Sequence, residues 1–185
     1  LSRAELPPLA AIWHANDHQQ RPNSMSKEFT HLDRAGNPAM VDVGEKTASR
    51  RLARARSIVV LGEEIMDKLE REDIHTKKGP VFQTAILAGI MAAKKTGELI
   101  PLCHPLGLDN CQVEIRVNAG REVVIDCTAS LSGKTGVEME ALVGATIAAL
   151  TVYDMCKAFS HDILIKETML MEKRGGKRDF LRAEP

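Results

Sequence analysis

The sequence predicts an α+β fold in which helices cover one face of an antiparallel sheet. Three observations carry this. Apolar residues alternate with period two over 111–117 and again over 122–131, and Asn118-Ala-Gly-Arg121 lies between them as a turn, the pattern of a β-hairpin. Helical spacing governs 136–160, the longest such stretch, and also 79–95. Alternation then returns over 163–172.

Taken in order, the β-branched run at 56–61 predicts a short strand, and residues 62–72, with Ile65, Met66 and Leu69, predict a helix. Gly79-Pro80 opens a second helix reaching Lys95, with the proline in its first turn and Ile86, Ile90 and Ala93 on one stripe. Its alanine content predicts close packing. The hairpin follows, then the long helix, then a closing strand with Leu164, Lys166, Thr168 and Leu170 on one face against Ile163, Ile165, Met169 and Met171. The order strand, helix, helix, strand, strand, helix, strand fits a ferredoxin-like sandwich with one added helix. Such a fold names no function.

With 185 residues, 44% of them hydrophobic, and no break in composition, the chain is expected to form one cored domain over 29–180. Residues 1–28 differ. Pro7-Pro8, the polar patch at 14–20 and Pro22-Asn-Ser24 show no sustained periodicity, so this stretch is expected to be a flexible arm, leader or linker, and 181–185 a tail. Met25 offers a natural start, and residues 1–24 are poor in the Arg and Ser of a transit peptide, which favours a cytoplasmic protein, with the mitochondrial matrix as the alternative in a eukaryote. Lys+Arg and Asp+Glu balance at 25 each, and aromatics make up 3%, so neither a broad basic surface nor stacking platforms for nucleic acid are expected. The apolar runs at 84–93 and 141–152 are too short or interrupted for a membrane span. Cys103, Cys111, Cys127 and Cys156 lack a C-x-x-C spacing, which favours reduced thiols over zinc.

Three polar clusters interrupt the apolar stretches. In Leu99-Ile-Pro-Leu-Cys-His-Pro105 the prolines hold His104 in an extended loop, where it could donate to a phosphate, shuttle a proton, or simply fill a crevice. Cys103 and His104 are adjacent, so their side chains diverge and do not form a nucleophile pair. Gly133-Lys-Thr-Gly136 lacks the earlier glycine of a Walker A loop, yet a glycine-rich turn opening a helix can cradle an anion. Glu138 and Glu140 follow, as pocket residues or as acids suited to a helix start. Asp154 and Lys157 share a helix face, as a surface ion pair or an acid–base couple. Lys77-Lys78-Gly79 and Glu172-Lys-Arg-Gly-Gly-Lys177 add basic clusters.

Together, Met40-Val-Asp-Val-Gly44, Lys78-Gly79, Ala88-Gly-Ile-Met-Ala-Ala-Lys94, the 99–105 loop, Gly133-Lys-Thr-Gly-Val-Glu-Met-Glu-Ala-Leu142, Ala148-Ala-Leu-Thr-Val-Tyr-Asp-Met-Cys-Lys-Ala158 and Lys173-Arg-Gly-Gly-Lys177 resemble the cyclic pyranopterin monophosphate synthase (MoaC) family of molybdenum cofactor biosynthesis. The resemblance covers about residues 29–180. It implies conversion of 3′,8-cyclo-7,8-dihydro-GTP, made from GTP by a partner radical enzyme, into cyclic pyranopterin monophosphate with release of pyrophosphate, without metal or redox cofactor. It further implies that Lys78, Asp154 and Lys157 are catalytic. Leu102, Cys103 and His104 match one substrate-binding segment and Met139 with Glu140 another, while Arg51, Glu138 and Lys173 match further pocket positions. The family's assembly, a homohexamer built as a trimer of dimers with sites at subunit boundaries, leaves open whether Lys78 and Asp154 meet within one chain. The competing expectations are a non-catalytic nucleotide-binding module of ferredoxin-like fold, and a zinc or thiol protein built on the cysteines.

Overall fold

Period-two patterning becomes one five-stranded sheet in the computed structural model, which describes residues 35–183. The expected arm at 1–28 lies outside the described residues. The elements are β1 (Ser49–Val60), α1 (Glu63–Met66), β2 (Leu69–Glu70), β3 (Asp73–Thr76), β4 (Gly79–Pro80), α2 (Val81–Ala93), α3 (Thr96–Leu99), β5 (Asn110–Val117), β6 (Val123–Gly133), α4 (Glu138–Cys156), β7 (Leu164–Arg174) and β8 (Phe180–Leu181). The large sheet has the order β5-β6-β1-β7-β8 with every pairing antiparallel, and β2-β3-β4 form a small sheet of their own. Its four long strands and two long helices run β1, α2, β5, β6, α4, β7, with β1 between β6 and β7, the split βαβ arrangement of the expected α+β sandwich.

Register explains the layering. Ala53, Ala55 and Val59 stand opposite Ala129, Cys127 and Val123, all buried in the core under the helices, whereas Arg56 stands opposite Asp126 on the other face. Small side chains let α4 settle close. A Cβ on Gly144 would lie 2.5 Å from the Cys127 sulfur, and one on Gly89 would lie 2.8 Å from the Gly144 carbonyl oxygen. The alanine-rich helix therefore packs as tightly as its composition predicted.

Several expectations need correction. Over 62–72 the helix is a single turn, Glu63–Met66, because Leu69 and Glu70 pair with Ile74 and Asp73 across a turn with Arg71 at φ +58°. Gly79-Pro80 is a strand pairing with Thr76 and His75, and α2 starts at Val81. The buried stripe of α2 is Phe82, Ala85, Gly89 and Ala92 with Ala93, and Ile86 and Ile90 sit at its margin. Leu87 and Met91 are 63% and 58% exposed, so apolar residues ring this helix and hid its inner face. The first strand starts seven residues early, at Ser49, where alternating arginines masked it. Register shifts opposite Arg54/Ala55 and Ile58/Val59 reset the alternation in β7, so that Leu170 stands opposite Ala55 on the core side and Met169 opposite Arg56. β8 pairs with Glu172 and Lys173, so the boundary expected at 180/181 falls inside a strand. Among the described residues α4 is the one helix long and apolar enough to cross a membrane, where 141–152 alone looked too short. Its inward residues, including Ala141, Ala145, Ala148 and Val152, are buried in the core.

Candidate active site

Two groups of functional side chains gather at the two ends of α4. At its C-terminal end Asp154 occupies the last turn and Lys157 the C-cap. Their i,i+3 spacing brings Lys157 Nζ to 2.7 Å from Asp154 Oδ1. Lys78 arrives from the β3–β4 turn and donates to Asp154 Oδ2 at 2.8 Å and to its backbone carbonyl at 3.2 Å. All three side chains are about half exposed. One chain therefore unites the expected catalytic residues. Hydrogen bonds from Lys157 and then Lys78 lower the Asp154 carboxyl to about 2, and the same contact with Asp154 raises Lys157. At neutral pH the cluster is two ammonium groups around one carboxylate, able to bind an anion or to deliver a proton.

At the N-terminal end, Lys173 Nζ lies 2.9 Å from Glu138 Oε1, and Arg51 Nε donates to the Gly133 carbonyl at 3.3 Å. Glu140 is 3% exposed, and burial first, then repulsion from Glu138, pushes its carboxyl up. It lines a cavity of about 340 Å³ shared with Lys94, Thr96, Glu98, Pro105 and Leu106. Burial, reinforced by the charge of Glu140, also raises the Cys103 thiol, which is the opposite of an activated nucleophile. His104 Nε2 lies 2.8 Å from the Val41 carbonyl. A carbonyl can only accept, so Nε2 carries a proton in this contact. Leu102 is half-buried beside it, and Met139 is 36% exposed at the start of α4.

Fourteen helical steps separate Glu140 from Asp154, a span of roughly 21 Å at 1.5 Å per step. Hence the structure brings Lys78, Asp154 and Lys157 together, and Glu138, Glu140, Cys103 and Lys173 together, but leaves the two groups too far apart within one chain to touch the same few atoms. Sequence reasoning passed over Asp73 and Thr76, and took Lys134 only as part of the glycine-rich turn. Lys134 donates to the Gly44 carbonyl at 2.6 Å and ties the 42–46 segment to the glycine-rich turn. An aspartate a few residues before a helix whose own start is Pro80 was the one available signal for Asp73.

The sheet, its helices and these lysine–carboxylate groups define an α+β protein equipped for anion binding and acid–base chemistry. The chain belongs to the MoaC family, whose model matches residues 40–176. It is 50% identical over 155 residues to the cyclic pyranopterin monophosphate synthase of Xanthomonas campestris pv. campestris (strain B100), covering 84% of this chain and 94% of that protein. It is 50% identical over 155 residues to the molybdenum cofactor biosynthesis bifunctional protein of Synechocystis, and 46% identical over 169 residues to molybdenum cofactor biosynthesis protein 1 of Dictyostelium discoideum. The match takes in 82% of this chain in both cases, but only 45% and 27% of those longer proteins.

Proposed function

We propose that this chain converts 3′,8-cyclo-7,8-dihydro-GTP to cyclic pyranopterin monophosphate, releasing pyrophosphate, in molybdenum cofactor biosynthesis. The observation that carries the reading is the half-identical match running nearly the full length of the Xanthomonas synthase. The geometry supplies a rationale. Ring opening and pterin closure require proton transfers, and departure of pyrophosphate requires positive charge on the leaving oxygens. Lys157, kept protonated by Asp154, serves as the general acid, and Asp154 fixes its position and charge. Lys78, held on the same carboxylate, serves a second proton transfer or the triphosphate. Arg51 and Lys173 bind phosphate oxygens, and in doing so Lys173 exchanges Glu138 for substrate. None of these steps calls on a metal or a redox change, and the reaction is that of a lyase.

The separation of roughly 21 Å along α4 supports a pocket completed by a second copy, with the lysine–aspartate end of one chain facing the His104–Glu140 end of another. A homohexamer of three dimers accommodates this. Leu87 and Met91 on α2 and Leu150 on α4, all more than half exposed, provide apolar surface for such packing. A substrate derived from GTP supports action in the cytoplasm, or in the mitochondrial matrix of a eukaryote, beside the radical enzyme that makes it. Incubation with enzymatically prepared 3′,8-cyclo-7,8-dihydro-GTP, following pyrophosphate and the oxidised fluorescent pterin, tests the reading. Pterin from the wild type and none from Lys157→Ala is the expected result. Tight binding without pterin in both would leave only a nucleotide-binding module.

A further inference from the structure

Helix α2 starts without a cap of its own. Pro80 stands at the N-cap in extended conformation and makes no capping hydrogen bond, which leaves the N–H groups of the first turn to find partners elsewhere. Asp73 provides them from a different element. Its Oδ1 accepts from the Phe82 N–H at 2.8 Å and from the Ile74 N–H at 2.7 Å, and its Oδ2 accepts from the Gln83 N–H at 3.1 Å. One carboxylate thus joins the start of β3 to the start of α2, and its charge complements the positive end of the helix.

The turn carrying Lys78 lies between those two tied points. Without the tie it has little to hold it: two residue pairs join β3 to β2 and two more join it to β4. Ile74, 0% exposed, anchors one strand in the core. Thr76 Oγ1 accepts from the Lys78 N–H at 3.1 Å and donates to the Gly79 carbonyl at 3.2 Å, closing the turn. Burial, and then the charge of Asp73, raise the thiol of Cys156, in the last turn of α4, to about 11.

From this geometry we infer that Asp73 is a positioning residue for the reaction: by clamping β3 to the first turn of α2 it sets where the Lys78 ammonium meets Asp154. The inference rests on the reading of Lys78 and Asp154 as catalytic residues. A carboxylate that only stabilised the fold would affect melting temperature without changing the surroundings of Asp154.

The test is an NMR titration of the Asp154 carboxyl in the full chain, in wild type, Asp73→Ala, Asp73→Asn, Lys78→Ala and the Asp73→Ala/Lys78→Ala double variant, with kcat, KM and Tm alongside. Lys78→Ala is expected to raise the Asp154 midpoint by removing one of its two ammonium partners. Asp73→Ala is expected to raise it in the same sense and to add nothing once Lys78 is gone. Turnover should fall by up to about 10²-fold, mainly in kcat, the scale of a misplaced reacting group. Asp73→Asn, which keeps an acceptor oxygen for Phe82 and Ile74, should recover part of both effects. An unchanged Asp154 titration in Asp73→Ala with only a lower Tm would overturn the proposal, as would an equal effect with and without Lys78. Should Asp73→Ala not fold, the same comparison is made with Asp73→Asn, where an Asp154 midpoint identical to wild type overturns it. A wild type that makes no pterin refutes the functional reading, and the titration still decides the coupling.

Discussion

At the scale of single residues, charge pairing decides what the side chains can do. Asp154 is lowered from 3.8 to about 2 by Lys157 and Lys78. A carboxyl whose folded value lies below its unfolded one favours the fold above the unfolded value, and that contribution is lost as pH falls through the folded value. Asp154→Asn should therefore flatten the pH dependence of the denaturation midpoint between about pH 4 and 2, with wild type and variant converging near pH 2 and only a small deficit in the variant at pH 7, because the group is exposed. Lys157→Ala or Lys78→Ala should reduce turnover by ~10²-fold or more with the fold intact, as circular dichroism and steady-state kinetics would show. On the face of the sheet away from the core helices Asp126, 6% exposed, accepts from Arg56 at 2.8 and 2.9 Å and also from Arg116. Burial opposes its ionisation, but the two arginines prevail and its pKa falls. Asp126→Ala strips a 5% exposed guanidinium of its bidentate partner and should destabilise the chain by about 3–5 kcal/mol in urea unfolding.

At the scale of elements, the seam between α2 and α4 is the most demanding contact. Gly144 faces the Cys127 sulfur and the Gly89 backbone, so Gly144→Val must push α4 off the sheet. The expected loss is ~1–3 kcal/mol, seen as a lower Tm. Elements with a strong local pattern were legible: the β5–β6 hairpin and the long helix α4 lie within a few residues of where periodicity put them. Elements defined by long-range partners were not. β1 owes its first half to β6 and β7, since Arg50, Arg51 and Arg54 break any apolar alternation there. The β2–β3–β4 sheet consists of strands two to four residues long, too short to leave a pattern.

At the scale of the whole molecule, the chain carries its two groups of candidate site residues at opposite ends of one helix. If a second copy completes the pocket, mixing inactive Lys78→Ala chains with inactive Glu140→Gln chains and allowing subunits to exchange should restore pterin formation, because some mixed interfaces carry neither substitution. No recovery, with exchange demonstrated by mass spectrometry, would mean that each chain works alone. By itself the sequence determined the α+β class and the shared helix face of Asp154 and Lys157, which depend on composition, local periodicity and spacing along one helix, while the resemblance of its motifs to the MoaC family singled out Lys78, His104 and Glu140. Only the tertiary structure decided that Lys78 meets Asp154 within its own chain, that Cys103 and Glu140 hold their protons more tightly than in water, and that Asp73 closes α2 from another element. Those facts arise from burial and from contacts between residues distant in sequence, and neither is encoded in any local stretch of the chain.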